Sequence, residues 1–311
     1  MKKIYLYLSF LGAFLTACTG SKTPQQIKKE KEEKIRPKFE PIAGTMFFEV
    51  RRSFDNGLAF DTIGFEQEPQ WQVNFINNDS VKIFSPDSGK MLGYSIYYDQ
   101  DSIFNFGREW FRVKNLAKDS LLLQRLQVQN LHVKEKRSNV YMKLYAANYI
   151  KDVLHTTVEE LRKPRRNDSV FIKWLADRSN RNATVIDSAF SSKNVVELKS
   201  INPHITVKRH VPDNSETINA SAAYYYLYPE YDIEINKCYK NFYDVFSVLV
   251  DGSGDVHLAK VTAMPEFEES KRRVLTGVIN VYLKHWLSIK PAVTLGFPHT
   301  SLILLRVRGK I

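Results

Sequence analysis

From Phe39 to about Tyr145 apolar and polar residues alternate, with turn formers interrupting about every 10–15 residues. A period of two puts successive side chains on opposite faces of a strand, so such a stretch has to become a sheet with a buried face. Met46-Phe47-Phe48-Glu49-Val50-Arg51 opens the pattern, and Trp71-Gln72-Val73-Asn74-Phe75-Ile76 repeats it. Asn77-Asn78-Asp79-Ser80 and Pro86-Asp87-Ser88-Gly89 supply turns. Further strands are expected at Val81–Phe84, Tyr94–Tyr98, Trp110–Val113 and Leu121–Leu126. Short strands at this spacing fold as an antiparallel meander closed into a barrel or a sandwich. The chain holds nineteen Phe and sixteen Tyr, which suit a strand-built core. A small barrel is usually filled by its own side chains, and a cavity for an apolar ligand is the alternative.

Beyond residue 145 the period changes. Ile150, Val153, Leu154, Val158 and Leu161 recur at helical spacing before Pro164, and Phe171, Trp174 and Leu175 mark a second helix after Asp168-Ser169. Arg162-Lys163-Pro164-Arg165-Arg166 between them reads as a solvated basic loop, with phosphate or lipid head groups as the other option. Val195–Leu198 and Ile205–Val207 suggest short strands, and Pro212-Asp213-Asn214-Ser215 a linker. From Tyr228 onward the expected order is short helix or loop, strand, strand, helix, strand. The first two strands form a hairpin about Asp251-Gly252-Ser253-Gly254, the helix ends near Trp286, and Ser301–Arg308 is the final strand. The fold class expected is α+β, and 311 residues suggest roughly two domains.

The beginning of the chain reads as an export signal. Lys2 and Lys3 precede an apolar run from Ile4 to Ala17, too short for a spanning helix of about 20 residues, and Cys18 follows. Leu15-Thr16-Ala17-Cys18 resembles the lipobox of bacterial lipoproteins. That resemblance implies cleavage before Cys18 and lipidation of its thiol and new N-terminus, an effectively permanent anchor. It divides the start into a signal peptide, 1–17, and a lipidated cysteine with charged tether, 18–38. The tether is too polar to bury a core, and twenty residues reach at most about 70 Å. Thr19-Gly20-Ser21 carries neither an Asp directly after the cysteine nor an acidic cluster. The resemblance therefore implies the outer membrane, on its periplasmic side. Once Lys2 and Lys3 are removed, 43 basic residues stand against 34 acidic ones, a net charge of +9. A basic surface sits well near anionic lipid, and export argues against nucleic acid as a partner.

Two family resemblances follow from particular residues. The run Trp110-Phe111-Arg112-Val113 to Asp119-Ser120-Leu121 resembles a pattern of small lipocalin-like lipoprotein domains, and it implies a lipocalin-like barrel over 39–145. Tyr228-Pro229, Val250-Asp251-Gly252, Trp286, Pro291-Ala292, Gly296-Phe297-Pro298 and the apolar last strand occur in the order of the TonB C-terminal domain. This resemblance implies a three-stranded antiparallel sheet with a helix over 216–311, joined to the barrel by a helical and mixed segment, 146–215. The family often has a glycine opening its first strand, where this chain has Tyr239-Lys240-Asn241-Phe242. In that family the last strand is an edge that receives an extended receptor peptide through main-chain hydrogen bonds. Carried over, the docking edge would be Leu302, Ile303, Leu304, Leu305, Arg306, Val307 and Arg308, with Ile303, Leu305 and Val307 on one face. Arg306 and Arg308 could instead act as gatekeepers that blunt a sticky edge.

No catalytic pattern emerges. The seven His are scattered, no zinc-hydrolase, phosphate-loop, dinucleotide or nucleophile-elbow motif occurs, and two Cys cannot build a four-Cys zinc site. Cys238 reads as a small buried hydrophobe. The chain is thus expected to be non-enzymatic, without cofactor or metal. It would dock a TonB-dependent receptor or another envelope protein, with carriage of a lipid or small apolar ligand in the barrel as the alternative. Cys18→Ala is expected to abolish incorporation of labelled palmitate and to release the protein from the membrane fraction. Unchanged fractionation would remove the anchor from this account.

Overall fold

The computed structural model describes residues 23–25, 27, 36–99, 102–130, 132–210 and 223–311. Cys18, most of the tether and Pro212–Ser215 lie outside them. Strands dominate a mixed fold.

The alternating stretch forms strands β1 Met46–Phe54, β2 Gln72–Phe75, β3 Ser80–Ser85, β4 Lys90–Ser95, β5 Tyr97–Tyr98, β6 Ile103–Phe106, β7 Glu109–Leu116 and β8 Ser120–Leu126. After a small hairpin, β9 Val128–Gln129 with β10 His132–Val133, comes β11 Val140–Ala146. Nine of these make one antiparallel sheet in the order β4-β3-β2-β1-β11-β8-β7-β6-β5. The two ends of that order, β4 and β5, are separated in the chain by Ile96 alone. The sheet therefore curls round until its edges meet there, giving a nearly closed, barrel-like body.

Side chains fill its interior. Phe47, Phe75, Phe104, Phe106, Phe111, Leu121, Leu123 and Leu144 are at most 1% exposed. Phe106 stacks on Phe111 with centroids 4.9 Å apart. Phe39, from the segment leading into β1, inserts from one end and stacks on Phe75 at 4.1 Å. Its N–H donates to Asn78 Oδ1 (2.7 Å), which fixes how the chain enters. Packed rings, and not a chamber, occupy the barrel.

A bulge at Val50 shifts the register of β1 against β11 between Glu49 and Arg51. Glu49 and Arg52 consequently share the inward side with their partners Leu144 and Met142, while Arg51 is aimed the other way. Arg51 there meets Asp168, at the start of the main central helix.

The central region contains a π turn at Tyr149–Val153, helix α1 Val158–Arg162 and helix α2 Arg166–Arg181. The helical spacing from Ile150 to Leu161 is broken in the folded chain because His155 adopts a positive φ of 49° and Thr157 Oγ1 caps α1. In α2, Ile172, Leu175 and Ala176 are buried against Ala59, Phe60 and Phe190. Its first turn is tied to the barrel by Asp168. Its last turn is tied to the C-terminal region by Ser179 and Asn180, which bond Thr300, Gly252 and Pro298.

The C-terminal region adds β12 Glu197–Ser200, β13 Ile205–His210, helix α3 Tyr224–Leu227, β14 Glu230–Asn236, β15 Phe242–Val250 and β16 Val256–Val261. Helix α4 Pro265–Val278 runs on through a π turn, Ile279–Leu283, to Trp286. Then come β17 Leu287–Lys290, the hairpin β18 Ala292–Thr294 with β19 Phe297–His299, and β20 Ser301–Lys310. β12 pairs with β17. The main sheet has five strands, ordered β13-β14-β20-β15-β16, with one face packed on Leu275 and Val278 of α4 and on Ile279 and Leu283 of the π turn after it.

This order corrects the expected docking edge. β20 lies in the middle of the sheet, antiparallel to β15 over Ser301–Gly309 and parallel to β14 over Leu304–Lys310. The main chain of Leu304 to Arg308 is thus engaged on both sides and cannot receive a peptide strand. The cause is β14, in a stretch expected to be helix or loop. Tyr231, Ile233 and Ile235 are buried there between exposed or half-buried acids, a strict alternation that makes a strand. With no edge at β20, gatekeeping by Arg306 and Arg308 is excluded as well.

Asp168 is fully buried and accepts four hydrogen bonds: two from Arg51 (2.7 and 2.9 Å), and one each from the N–H of Ala59 (2.9 Å) and Arg165 (2.8 Å). Asp168→Ala leaves the Arg51 guanidinium buried without its counterion and should cost about 3–5 kcal/mol in urea denaturation. Exposed Asp177, paired with Lys173, should cost less than about 0.5 kcal/mol when changed to Ala.

Candidate functional site

Four distant segments meet where the barrel loop between β1 and β2, the turn after α2, α3 and the start of β20 come together. They leave an apolar groove of about 140 Å³ lined by Ile63, Ile186, Phe190, Leu227, Tyr228 and Leu302, with Ala189 and Ser191 between them. Main-chain and hydroxyl bonds stitch its floor. Ser191 N–H donates to Ile63 O (3.0 Å), Phe190 N–H to Thr300 O (3.2 Å), Ser191 Oγ to Leu227 O (2.7 Å) and Leu304 N–H to Pro229 O (3.0 Å). Gly64 permits this approach: its φ is 89°, and a Cβ there would stand 1.9 Å from Ser191 O.

The rim is exposed and apolar. Ile63 is 52% exposed and Tyr228 56%. Tyr224 packs on Tyr228, with ring centroids 5.2 Å apart. Leu302 carries the groove onto the sheet face turned away from α4, where Leu304, Arg306, Arg308, Val245 and Tyr243 follow by register. Arg306 pairs with Glu230 at 2.5 Å, and Arg308 lies over the Tyr243 ring at 5.5 Å. Ile303, Leu305 and Val307 face the core, at most 1% exposed. Of the seven residues expected to form an edge, Leu302 lines the groove, Leu304, Arg306 and Arg308 lie on the open face, and the other three support it from beneath.

Under the groove lies His299, fully buried and stacked on Phe190 at 3.6 Å. Nε2 is 2.9 Å from Thr294 Oγ1, and Nδ1 is 3.3 Å from both Ser301 Oγ and Thr300 O. Burial pushes its pKa down to about 4, against the opposing pull of the Thr300 carbonyl. The ring is therefore neutral and serves as packing.

The groove lining presents no carboxylate, imidazole, thiol or ammonium group; its polar side chains are the Ser191 hydroxyl and the Tyr228 phenol, and the rest of its surface is apolar. Elsewhere, Ser253 Oγ and His257 Nε2 contact opposite oxygens of Asp251, at 2.6 and 3.1 Å. The hydroxyl meets the carboxylate and not the imidazole, so this is hairpin-turn bonding and no nucleophile–base pair. Cys238 is buried, which raises its thiol pKa, with hydrogen bonds opposing. Among the described residues no group of three or more metal-ligating side chains converges, and no helix is long and apolar enough to cross a membrane.

Comparison with models of known protein families gives no match, and no curated protein matches the chain.

His299 makes folding pH-dependent. Its unfolded pKa of 6.5 exceeds its folded value of about 4, so the unfolded chain binds the extra proton between them. Stability should be intact above pH 6.5 and fall by roughly 3 kcal/mol as pH drops to 4. Denaturant midpoints measured across that window check this, and His299→Gln should flatten the curve.

Proposed function

We propose that the chain is a non-enzymatic lipoprotein of the bacterial envelope, anchored through Cys18 at the periplasmic side of the outer membrane. It docks an outer-membrane receptor or another envelope protein through a C-terminal domain of the TonB type. The observation that carries the reading is the apolar groove at the head of the sheet face turned away from α4, with exposed Ile63 and Tyr228 at its rim. Such rims supply rigid, amphipathic contact area at interfaces.

The TonB resemblance gains support from the order of β15, the Asp251–Gly254 turn, β16, α4 and β20, with Trp286 at the end of the helical run and Gly296-Phe297-Pro298 in the β18–β19 hairpin. The departure is β14, which covers one side of β20. Docking here therefore uses side chains on the sheet face instead of strand addition. A barrel filled by phenylalanines favours docking over carriage of an apolar ligand, although the lipocalin-like course of its strands fits this reading as well.

Photo-crosslinking in intact cells tests the proposal. A crosslinker at Tyr228 or Leu302 should give an adduct with a membrane protein, and one at exposed Val170 on α2 should not. Leu302→Asp should abolish the adduct formed from Tyr228. Equal labelling from all three positions, or none from the groove, would overturn it.

A further inference from the structure

A cleft of about 320 Å³, lined by residues of β1, β8 and the loop between β1 and β2, has different chemistry, and its reading does not depend on the docking proposal. The β1 bulge brings Arg52 into it. Glu49, fully buried, accepts from Arg52 Nε (2.7 Å) and Nη2 (2.6 Å) and from the N–H of Gln70 (2.8 Å) and Trp71 (3.0 Å). The second arginine of the cleft, Arg125, is held the same way: Glu109 accepts from its Nε (2.8 Å) and Nη2 (2.6 Å). In both, one edge of the guanidinium is clamped by a bidentate carboxylate, and Nη1 has no partner among the described residues. Lys193 bridges Glu66 (2.9 Å) and Glu68. Gln70, Phe65 and Tyr226 complete the lining, and the Tyr226 hydroxyl accepts from Glu66 N–H (3.2 Å).

The charges decide the ligand class. Arg52, Arg125 and Lys193 are answered by Glu49, Glu109, Glu66 and Glu68, so no positive field exists to hold a phosphate or free carboxylate. What remains is spare hydrogen-bonding capacity of both kinds: arginine Nη1 donors, carboxylate lone pairs, an amide and a phenol, all pre-oriented by their ion pairs. The rings of Phe65 and Tyr226 add apolar contact. Neutral vicinal hydroxyl groups match such a set, each donating to one group and accepting from another. We propose that this cleft binds a neutral saccharide, with Arg52, Arg125, Gln70 and Tyr226 contacting its hydroxyls.

Titration of the full chain with glucose and with N-acetylglucosamine, followed by calorimetry, tests this. At least one sugar should bind in about the millimolar range, and transferred NOEs should connect it to the Tyr226 ring in the unaltered chain. Gln70→Ala and Tyr226→Phe, with unchanged circular dichroism and melting, should each weaken it about threefold to tenfold. No binding of either sugar at about 50 mM, equal affinity in both variants, or a response to inorganic phosphate alone would overturn the assignment.

Discussion

A carboxylate taken out of water has to be matched bond for bond, and Asp168 is the place where this chain meets that demand. Its four hydrogen bonds come from β1, from the loop after β1 and from the residue before its own helix. Burial by itself would raise its pKa. The Arg51 guanidinium and the N–H groups of Ala59 and Arg165 overcome that and hold it below the usual carboxylate range. Three of the four bonds reach it from β1 and the loop after it, so the first turn of α2 is held against the barrel. The ionic clamp therefore sets the geometry, and the apolar contacts of Ile172, Leu175 and Ala176 fill in behind it.

Both candidate binding regions inherit their position from this arrangement. The groove exists because the loop carrying Ile63 and the turn carrying Ile186 are held against the start of β20, and α2 spans between them. The polar cleft exists because the bulge that frees Arg51 for Asp168 also rotates Glu49 and Arg52 to the inward side. One extra residue in a strand thus serves two ends: it docks a helix outside the barrel and builds a charged layer above the phenylalanine core.

How much of this could be read from residues in order depends on the range of each interaction. The barrel was legible because its signal is local: each strand announces itself by alternation and each turn by Asn, Asp, Gly or Pro. The Asp251–Gly254 hairpin was legible for the same reason. The sequence from Glu230 to Ile235 carries an equally regular alternation; read as a helix or loop it leaves β20 at an edge, and read as a strand it supplies the partner that covers β20. The single long helix expected before Pro164 gave way to two pieces at His155, since spacing does not report a positive φ. Arg51 with Asp168, separated by 117 positions, and a groove assembled from Ile63, Ile186, Leu227 and Leu302 have no local signature at all.

The parallel pairing of β14 with β20 also bears on how the chain is made. Residues 230–236 can reach their neighbour only after some seventy further residues have been synthesised, because the central strand of the sheet comes last. Until then β14 and β15 each carry an unsatisfied row of amides and carbonyls beside an apolar face. Such a nascent form is open to mispairing with other extended chains, and contacts this distant in sequence form slowly. Under the export proposed above, holding those two ribbons apart would become a task for the compartment that receives the chain.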